Sequence, residues 1–360
     1  MQGEFLLDPE VAYLNHGSYG ACPGAVFEEY QRLQRELERQ PTDFFVRRAF
    51  TSFWGPSERP GGIDEARAAL AAFIGAATDD LVFVPNATSG LNAVLRSLPI
   101  RPEEEILTTK HEYGAILRTL ESIRANVVAC EPEDLIASIG VRTRAIVVSH
   151  VTSPTALVLP VEEICAAARK ARVLTIVDGA HAPGQVPLDL EALGADIYAG
   201  NCHKWLCAPK GSGFLWARPA HQEWIEPLVV SWGYREDATF AERHGWQGTR
   251  DLSAYLAVPK AIEIWRGFDL SRMRGLADDA ERRLGELRVR RIPGEPAPFM
   301  RAFMLPPGDT DELWRRLWEE FRVEVPVYEW EGRRILRVSI GPYNDEADLE
   351  RLAVALRAAL

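Results

Sequence analysis

Two stretches of the chain decide the fold: Val173-Leu174-Thr175-Ile176-Val177-Asp178, and Ala195-Asp196-Ile197-Tyr198-Ala199-Gly200 followed by Asn201-Cys202-His203-Lys204. Each begins as a short apolar run that is typical of a buried strand, and each ends in polar residues. A strand pattern at Ala145–Ser149 and an amphipathic helix pattern that starts at Pro160 precede the first stretch, and a further strand pattern follows at Gly213–Trp216. This alternation predicts βαβ units and a largely parallel sheet.

The pattern changes after about residue 256 and predicts a small α+β unit. The predicted elements are a helix around 259–267, a strand at 299–305, a helix at 310–321, strands near 323–329 and 333–340, and a last helix with Asn344 as its N-cap. We therefore predict an α/β protein with a large, doubly wound, mostly parallel sheet domain at 21–255. A small C-terminal domain is predicted at 256–360, with the N-terminal segment 1–20 packing against it.

Composition excludes several classes of protein. The 360 residues are 47% hydrophobic and 26% charged, which is typical of a globular chain and not of a disordered one. Asp and Glu number 52 against 41 Lys and Arg, and a net charge of -11 argues against nucleic acid and membrane surfaces as partners. The chain has no membrane-length apolar run and no signal-peptide pattern, so we expect a cytoplasmic protein. Five scattered cysteines predict neither a disulfide framework nor a metal site.

Lysine is scarce, because it occurs only at positions 110, 170, 204, 210 and 260. Lys204 and Asp178 follow neighbouring predicted strands, where open α/β sheets bind their ligands. A buried structural ion pair is one interpretation of these two residues. The other is a pyridoxal phosphate (PLP) site, in which a desolvated lysine forms a Schiff base with the cofactor and an acid faces the pyridine nitrogen. Lys210 lies in a turn pattern, where a solvated lysine is expected.

A phosphate site is predicted at Pro85-Asn86-Ala87-Thr88-Ser89-Gly90, between a strand at Leu81–Val84 and a helix that runs through Leu91 and Val94. Hydroxyls and backbone N–H groups at the start of a helix suit a phosphate. Such turns are common, so the segment gains weight only from the Asp178 and Lys204 motifs that follow it. The chain has no Gly-x-Gly-x-x-Gly and no Walker motif, which argues against a nicotinamide-dependent dehydrogenase.

Taken in order, the motifs Asn-Ala-Thr-Ser-Gly, Asp-Gly-Ala-His and His-Lys resemble the class V aminotransferase family of fold-type I PLP-dependent enzymes. The resemblance covers nearly the whole chain. Two further stretches, Tyr13–Gly20 and Trp246–Asp251, resemble the isopenicillin N epimerase-like branch of that family. The expected fold is therefore that of a fold-type I PLP-dependent transferase.

The resemblance also implies roles for individual residues. Lys204, Asp178 and Tyr113 would be the catalytic residues, with the Tyr113 ring lying on the pyridine. His181, assisted by Ser153, would reach the phenolic oxygen of the cofactor. The phosphate would be held by Thr88, Ser89, Asn201 and His203, with Thr249 coming from the partner subunit of a homodimer. An amino-acid substrate would be bound by Arg337, through its α-carboxylate, and by Asn15 and His16.

Three of these roles have simpler structural alternatives that the sequence leaves open. Tyr113 could be an ordinary core or surface tyrosine, and Ser153 an ordinary turn serine. Arg337 could lie on the solvated face of a strand.

One departure from the family narrows the reaction. Cysteine desulfurases need a nucleophilic cysteine on a loop of the small domain, where this chain reads Gly294-Glu295-Pro296-Ala297-Pro298-Phe299-Met300, and no cysteine lies beyond Cys207. A cysteine-dependent desulfurase is therefore excluded, and branch likeness favours an epimerase or racemase. A carbon–sulfur β-lyase acting on a cysteine conjugate and an aminotransferase stay open, as does a catalytically inactive PLP-binding protein. The sequence does not identify the second acid that an epimerase requires.

Overall fold

The strands of the protein form three sheets in a computed structural model that describes residues 2–50, 62–287 and 289–360. In chain order the strands are β1 (Ala12–Tyr13), β2 (Leu81–Val84), β3 (Glu105–Thr109), β4 (Asn126–Cys130), β5 (Thr143–Ser149), β6 (Leu174–Gly179), β7 (Ile197–Asn201), β8 (Gly213–Ala217), β9 (Arg290–Arg291), β10 (Met300–Met304), β11 (Val323–Glu324), β12 (Val327–Trp330) and β13 (Arg333–Ser339).

The helices lie mainly between these strands and at the two ends of the chain. In chain order the α-helices are α1 (His16–Tyr19), α2 (Gly24–Arg39), α3 (Ile63–Ile74), α4 (Ala87–Ser97), α5 (Gly114–Ser122), α6 (Val161–Ala171), α7 (Leu190–Leu193), α8 (Pro219–Gln222), α9 (Phe240–Gly245), α10 (Ser253–Leu256), α11 (Val258–Trp265), α12 (Leu270–Gly285), α13 (Thr310–Phe321) and α14 (Glu346–Ala359). No helix in the described ranges is both long and apolar enough to cross a membrane.

The large sheet has seven strands in the order β2-β8-β7-β6-β5-β3-β4. Only β8 runs antiparallel, to both of its neighbours, and the other pairings are parallel. The predicted α/β class and the mostly parallel sheet are therefore confirmed. The strand predicted from Ala195 begins at Ile197, because the backbone N–H of Asp196 donates to the Thr175 hydroxyl and not to the backbone of the neighbouring strand.

The core lies on both faces of this sheet. Along β5, Val147 packs into one apolar cluster, whereas its neighbours Ile146 and Val148 pack into another. Successive side chains of a strand point to opposite faces, so an unbroken apolar run is what a sheet covered on both sides requires. The polar residues that follow β5, β6 and β7 are thereby placed at a single edge of the sheet.

The C-terminal part of the chain forms an antiparallel sheet in the order β12-β13-β10-β9. β1 pairs in parallel with β11, so the first residues of the chain contact this C-terminal part. The domain limits at residues 20/21 and 255/256 stay predictions.

The last helix begins one residue later than predicted. Asp345, not Asn344, is its N-cap, and the Asp345 carboxylate accepts the N–H groups of Ala347 and Asp348. The side-chain oxygen of Asn344 accepts the N–H of Gly341, and its side-chain nitrogen donates to the Asp348 carboxylate. The long helix α12 was not predicted, and it begins at the N-cap Asp269.

Gly20 lets the N-terminal segment approach the loop that carries Lys204. Its φ is +69°, and a Cβ built there would lie 1.9 Å from the carbonyl oxygen of His203. Only glycine adopts this conformation without strain and leaves room for the carbonyl. The N-terminal segment therefore forms one side of the site described next.

Candidate active site

A cavity of about 270 Å³ opens at the carboxyl ends of β5, β6 and β7. This is the edge at which a doubly wound sheet binds its ligand. Eight of the predicted site residues line the cavity: Thr88, Tyr113, Ser153, Asp178, His181, Asn201, His203 and Lys204. A larger cavity of about 650 Å³, next to Phe50 and Trp246, has none of the predicted site residues in its lining.

Lys204 follows β7, and its side chain lines the cavity. The pKa of Lys204 is lowered to about 7, mainly by burial and secondly by the Arg337 guanidinium, while Asp178 opposes the shift. The Lys204 Nζ atom lies 3.1 Å from the His181 Nε2 atom. A large part of the Lys204 population is therefore uncharged near neutral pH.

The hydrogen bond between His181 and the Lys204 amine has a direction that the surrounding groups determine. The Trp205 indole N–H donates to His181 Nδ1 at 3.3 Å, and an indole nitrogen can only donate. Burial keeps the pKa of His181 well below its ordinary value, so the ring is neutral. The hydrogen-bond network thus assigns the remaining ring proton to Nε2, which donates it to the lone pair of the Lys204 amine.

Asp178 lies in β6, in register with Ala199 of β7, and is only 4% exposed. Its Oδ1 atom accepts the N–H of Ala180 at 2.8 Å. Within the part of the chain that the structure describes, no cationic side chain forms an ion pair with it. Burial raises the pKa of Asp178, while the Ala180 N–H and the charge of Lys204 oppose the rise. A buried carboxylate without an ion pair is costly and needs a partner from outside the chain.

The start of α4 forms one end of the cavity. Asn86 is the N-cap, and its side-chain oxygen accepts the N–H and the hydroxyl of Ser89, at 2.8 and 3.2 Å. Asn201 accepts the N–H of Ala87 at 2.8 Å and so joins the end of β7 to this helix. Thr88 faces the cavity, whereas the Ser89 hydroxyl is turned towards Asn86. The helix start is suited to an anion, with Thr88 nearest to it.

Arg337 lies on β13, opposite Ala302 of β10, and is 5% exposed. It does not lie on a solvated strand face. Its guanidinium donates to the carbonyl and hydroxyl of Ser153, at 2.7 and 3.1 Å, and to the hydroxyl of Ser18, at 2.8 Å. Its Nε atom is buried and has no hydrogen-bond partner among the described residues. Since Ser18 and Ser153 both line the cavity, Arg337 lies directly behind its wall.

Asn15 and His16 are buried, but neither belongs to the lining of the cavity. His16 lies between the Tyr343 hydroxyl and the backbone carbonyl of Lys204, at 3.1 Å from each. Burial lowers the pKa of His16 to about 3, so the ring is neutral. Asn15 donates to Glu324 at 3.1 Å. His16 therefore fixes the backbone of Lys204, and direct contact with a ligand in the cavity is not expected for it.

The remaining predicted residues occupy different surroundings. Tyr113 is the N-cap residue of α5 and is 43% exposed at the cavity. Thr249 is exposed and does not line the cavity of its own chain. No group of three or more metal-ligating side chains occurs within the described part of the chain.

Three residues at the cavity were missed by the sequence analysis: Ser18, Ser149 and Glu112. Ser18 and Ser149 line the cavity, and Glu112 contacts Ser149. Ser149 is the last residue of β5, and Glu112 follows shortly after the end of β3. Both therefore lie at the carboxyl end of a strand, as Asp178 does. The rule that drew attention to Asp178 could therefore have found them.

These features fit PLP. The cavity presents the Lys204 amine for an aldehyde, the Asp178 carboxylate for a ring nitrogen, and a helix start with the Thr88 side chain for a phosphate. The three groups come from different strand ends and converge on a single cavity. We conclude that the residues present are suited to hold this cofactor.

Comparison with known proteins defines the class. The family model described as aminotransferase class V matches residues 58–352, and the chain belongs to that family. It is 36% identical to the isopenicillin N epimerase of Streptomyces clavuligerus, over 99% of this chain and 97% of that protein. It is 28% identical to a putative L-cysteine desulfhydrase 1 of Oryza sativa subsp. japonica, over 96% of this chain and 82% of that protein.

A solved structure of a C-DES mutant, with glycine covalently linked to its PLP cofactor, has the same fold. The TM-score is 0.83 at 22% identity, and the match covers 99% of this chain and 98% of the other. The fold-type I architecture that the motifs predicted is confirmed.

Proposed function

We propose that the protein is a PLP-dependent enzyme that acts at the α-carbon of an amino acid or amino-acid conjugate, by epimerisation or racemisation. The observation that carries the proposal is that the Lys204 amine, 3.1 Å from His181, lines the same cavity as the buried Asp178 carboxylate. Similarity to an isopenicillin N epimerase over nearly the full length supports this reaction.

The cofactor would be held by residues that line the cavity. When bound, PLP withdraws electrons from the α-carbon of an attached amino acid and so makes its hydrogen acidic. Asp178 would accept a hydrogen bond from the protonated ring nitrogen, and the His181 Nε2–H would donate a hydrogen bond to the phenolic oxygen. Thr88, Asn201 and His203 would hold the phosphate, and Tyr113 would contact the ring.

Lys204 has two roles in this proposal. Its amine binds the aldehyde before substrate arrives, and afterwards it accepts and returns the proton at the α-carbon. Both roles need the uncharged form, which burial makes available near pH 7. Inversion also requires a proton donor on the other face of the α-carbon, and Tyr113 is the titratable residue that we place on that side.

Arg337 is proposed to bind the α-carboxylate of the substrate. A guanidinium can donate two parallel hydrogen bonds to a carboxylate, and such pairs are strong when water is excluded. The buried Nε atom is without a partner in the described chain, and the Ser18 hydroxyl is a neutral acceptor that a carboxylate can replace. Arg337 thereby fixes which bonds of the substrate lie next to Lys204.

We further propose a homodimer in which Thr249 completes the site of the partner subunit. Thr249 is exposed in the single chain, as a residue that contacts a partner subunit would be. Sedimentation velocity should report a dimer. In mixtures of Lys204→Ala and Thr249→Ala subunits, about a quarter of the sites pair two intact halves, so recovery of activity on mixing supports a shared site.

Loss of a β-substituent is the second candidate reaction, because the chain is also similar to a putative L-cysteine desulfhydrase. A cysteine-dependent desulfurase is not supported. Burial raises the pKa values of Cys202 and Cys207, the cysteines nearest to Lys204 in sequence, so neither is a thiolate. Transamination would use the same first proton transfer and remains a third outcome of the test below.

The test incubates the PLP-loaded protein with a panel of amino acids in heavy water. Deuterium at the α-carbon with loss of stereochemistry indicates an epimerase, release of pyruvate a β-lyase, and exchange that depends on a keto acid an aminotransferase. Lys204→Ala should abolish every one of these reactions. Lys170→Ala is the matched control, because Lys170 is an exposed lysine of α6. Exchange at the wild-type rate in Lys204→Ala would refute the proposal.

A further inference from the structure

Glu112 is a buried acid that the proposed chemistry does not use. It lies between the end of β3 and the start of α5, directly before Tyr113, and its exposed fraction is 3%. An acid in a connecting turn is ordinarily solvated, so burial at this position calls for a physical reason.

The two carboxyl oxygens of Glu112 have different surroundings. Oε1 accepts the Ser149 hydroxyl at 2.6 Å and the backbone N–H of Tyr113 at 2.8 Å. Oε2 is buried and has no hydrogen-bond partner among the described residues. Ser149 and Tyr113 both line the cavity that contains Lys204, so Glu112 supports that wall from behind.

A second carboxylate lies next to Glu112. Ser149 of β5 is the register partner of Asp178 on β6, which places the Asp178 carboxylate beside the Ser149–Glu112 hydrogen bond. In the described part of the chain neither acid forms an ion pair with lysine or arginine. Two buried carboxylates cannot both ionise at little cost, so one of them retains a proton.

The surrounding groups decide which acid retains the proton. Asp178 accepts the Ala180 N–H, and the protonated fraction of Lys204 favours the ionised form of Asp178. Glu112 has no such cation, and burial followed by the charge of Asp178 raises its pKa to about 7. Glu112 is therefore the weaker acid of the two.

Other titratable groups on the neighbouring elements leave this assignment unchanged. His150, directly after β5, is neutral because burial lowers its pKa to about 4, and it contacts the Tyr198 hydroxyl of β7 at 2.9 Å. His111, which precedes Glu112, is 2.7 Å from the Thr155 hydroxyl and 3.5 Å from Glu131. Lys110 pairs with Glu131 at 2.8 Å.

We propose that Glu112 is a protonated positioning residue, which holds Ser149 and the Tyr113 backbone at the cavity wall as a neutral acid and leaves Asp178 as the single ionised carboxylate there. The inference rests on the proposed function for the use of that charge, namely pairing with a protonated ring nitrogen. The protonation of Glu112 is itself a property of the chain without cofactor.

The direct test is infrared difference spectroscopy of the cofactor-free protein at pH 6. A protonated carboxyl group has a carbonyl stretch separate from that of a carboxylate. The wild-type minus Glu112→Gln difference should contain this protonated band, and the band should disappear as the pH is raised from 6 to 9. Glu131→Gln is the matched control, because Glu131 is an exposed acid paired with Lys110, and its difference should show only carboxylate bands.

A second readout uses the PLP-loaded protein. The pH titration of cofactor absorbance should contain a transition in the wild type that Glu112→Gln lacks, because the amide cannot ionise. Below pH 6 the absorbance of PLP-loaded Glu112→Gln should match that of the wild type, because glutamine is neutral as the protonated acid is. Glu112→Asp has a shorter side chain and should not restore the contacts with Ser149 and Tyr113. If Glu112→Gln does not fold, Ser149→Ala should still shift the protonated band by removing the 2.6 Å hydrogen bond.

The outcomes separate this inference from the proposed function. Absence of a protonated band at pH 6, or a band that Glu112→Gln retains, overturns the inference whether or not PLP binds. A band assigned to Glu112 in a protein that binds no PLP upholds the proton on Glu112 and refutes the proposed function. An identical pH titration of the loaded wild type and Glu112→Gln overturns the link between Glu112 and the charge of Asp178.

Discussion

Replacement of Lys204 by methionine removes an amine that the fold keeps out of water. We expect the stability of the cofactor-free wild type, relative to Lys204→Met, to increase with pH. The reason is that burial lowers the pKa of Lys204 from 10.5 to about 7. Between these two values the unfolded chain binds a proton that the folded chain has released, so the free energy of unfolding rises with pH across this window.

The size of the effect follows from the two pKa values. One pKa unit corresponds to about 1.4 kcal/mol, and integration of the proton difference from pH 7 to pH 9 gives a relative gain of about 2 kcal/mol for the wild type. Titratable groups far from Lys204 behave alike in both proteins and cancel in the difference.

The assay is urea unfolding of both cofactor-free proteins at pH 7, 8 and 9, followed by tryptophan fluorescence. Lys170→Met is the matched control, because it removes an exposed lysine from α6 and no buried charge. A difference between the wild type and Lys204→Met that is constant with pH, or that falls as pH rises, would refute the assignment of an uncharged buried amine.

Three further predictions concern the cavity wall. Arg337→Lys should raise the KM for α-amino acids about tenfold or more with a smaller effect on kcat, because an ammonium cannot replace the planar pair of donors; an equal loss for amines without a carboxylate would contradict this role. Tyr113→Phe should bind PLP as the wild type does, whereas Tyr113→Ala should bind it more weakly by absorbance titration, since the ring supplies the contact. Asn86→Ala removes the acceptor of the Ser89 N–H and should lower the free energy of unfolding, measured in urea, by about 1 kcal/mol. Inorganic phosphate should also compete less strongly with PLP for binding to this variant.

Several features of the fold were predictable because they depend on local patterns. Asp178 and Lys204 follow apolar runs that are buried on both faces of the sheet, and the carboxyl ends of parallel strands meet at one edge. Asn86 was placed at a helix start because a strand pattern ends before it and a helix pattern begins after it. The register of the strands was not needed to bring these residues together.

Other features depend on contacts between distant parts of the chain, and no local pattern encodes them. Arg337 contacts Ser18 and Ser153, which are 319 and 184 positions away. His16 was predicted to line the pocket, yet its ring is used to hold the carbonyl of Lys204, 188 positions away. The position of Glu112 after a strand is a local feature, but its burial depends on the contact with Ser149, 37 positions away.

The most direct test of the account is to identify the residue that carries the cofactor. The PLP-loaded protein is treated with borohydride, digested, and analysed by mass spectrometry. We predict a reduced adduct on Lys204, together with loss of the absorbance band of the bound cofactor. An adduct on Lys210 or another lysine, or a protein that takes up no PLP, would contradict the account.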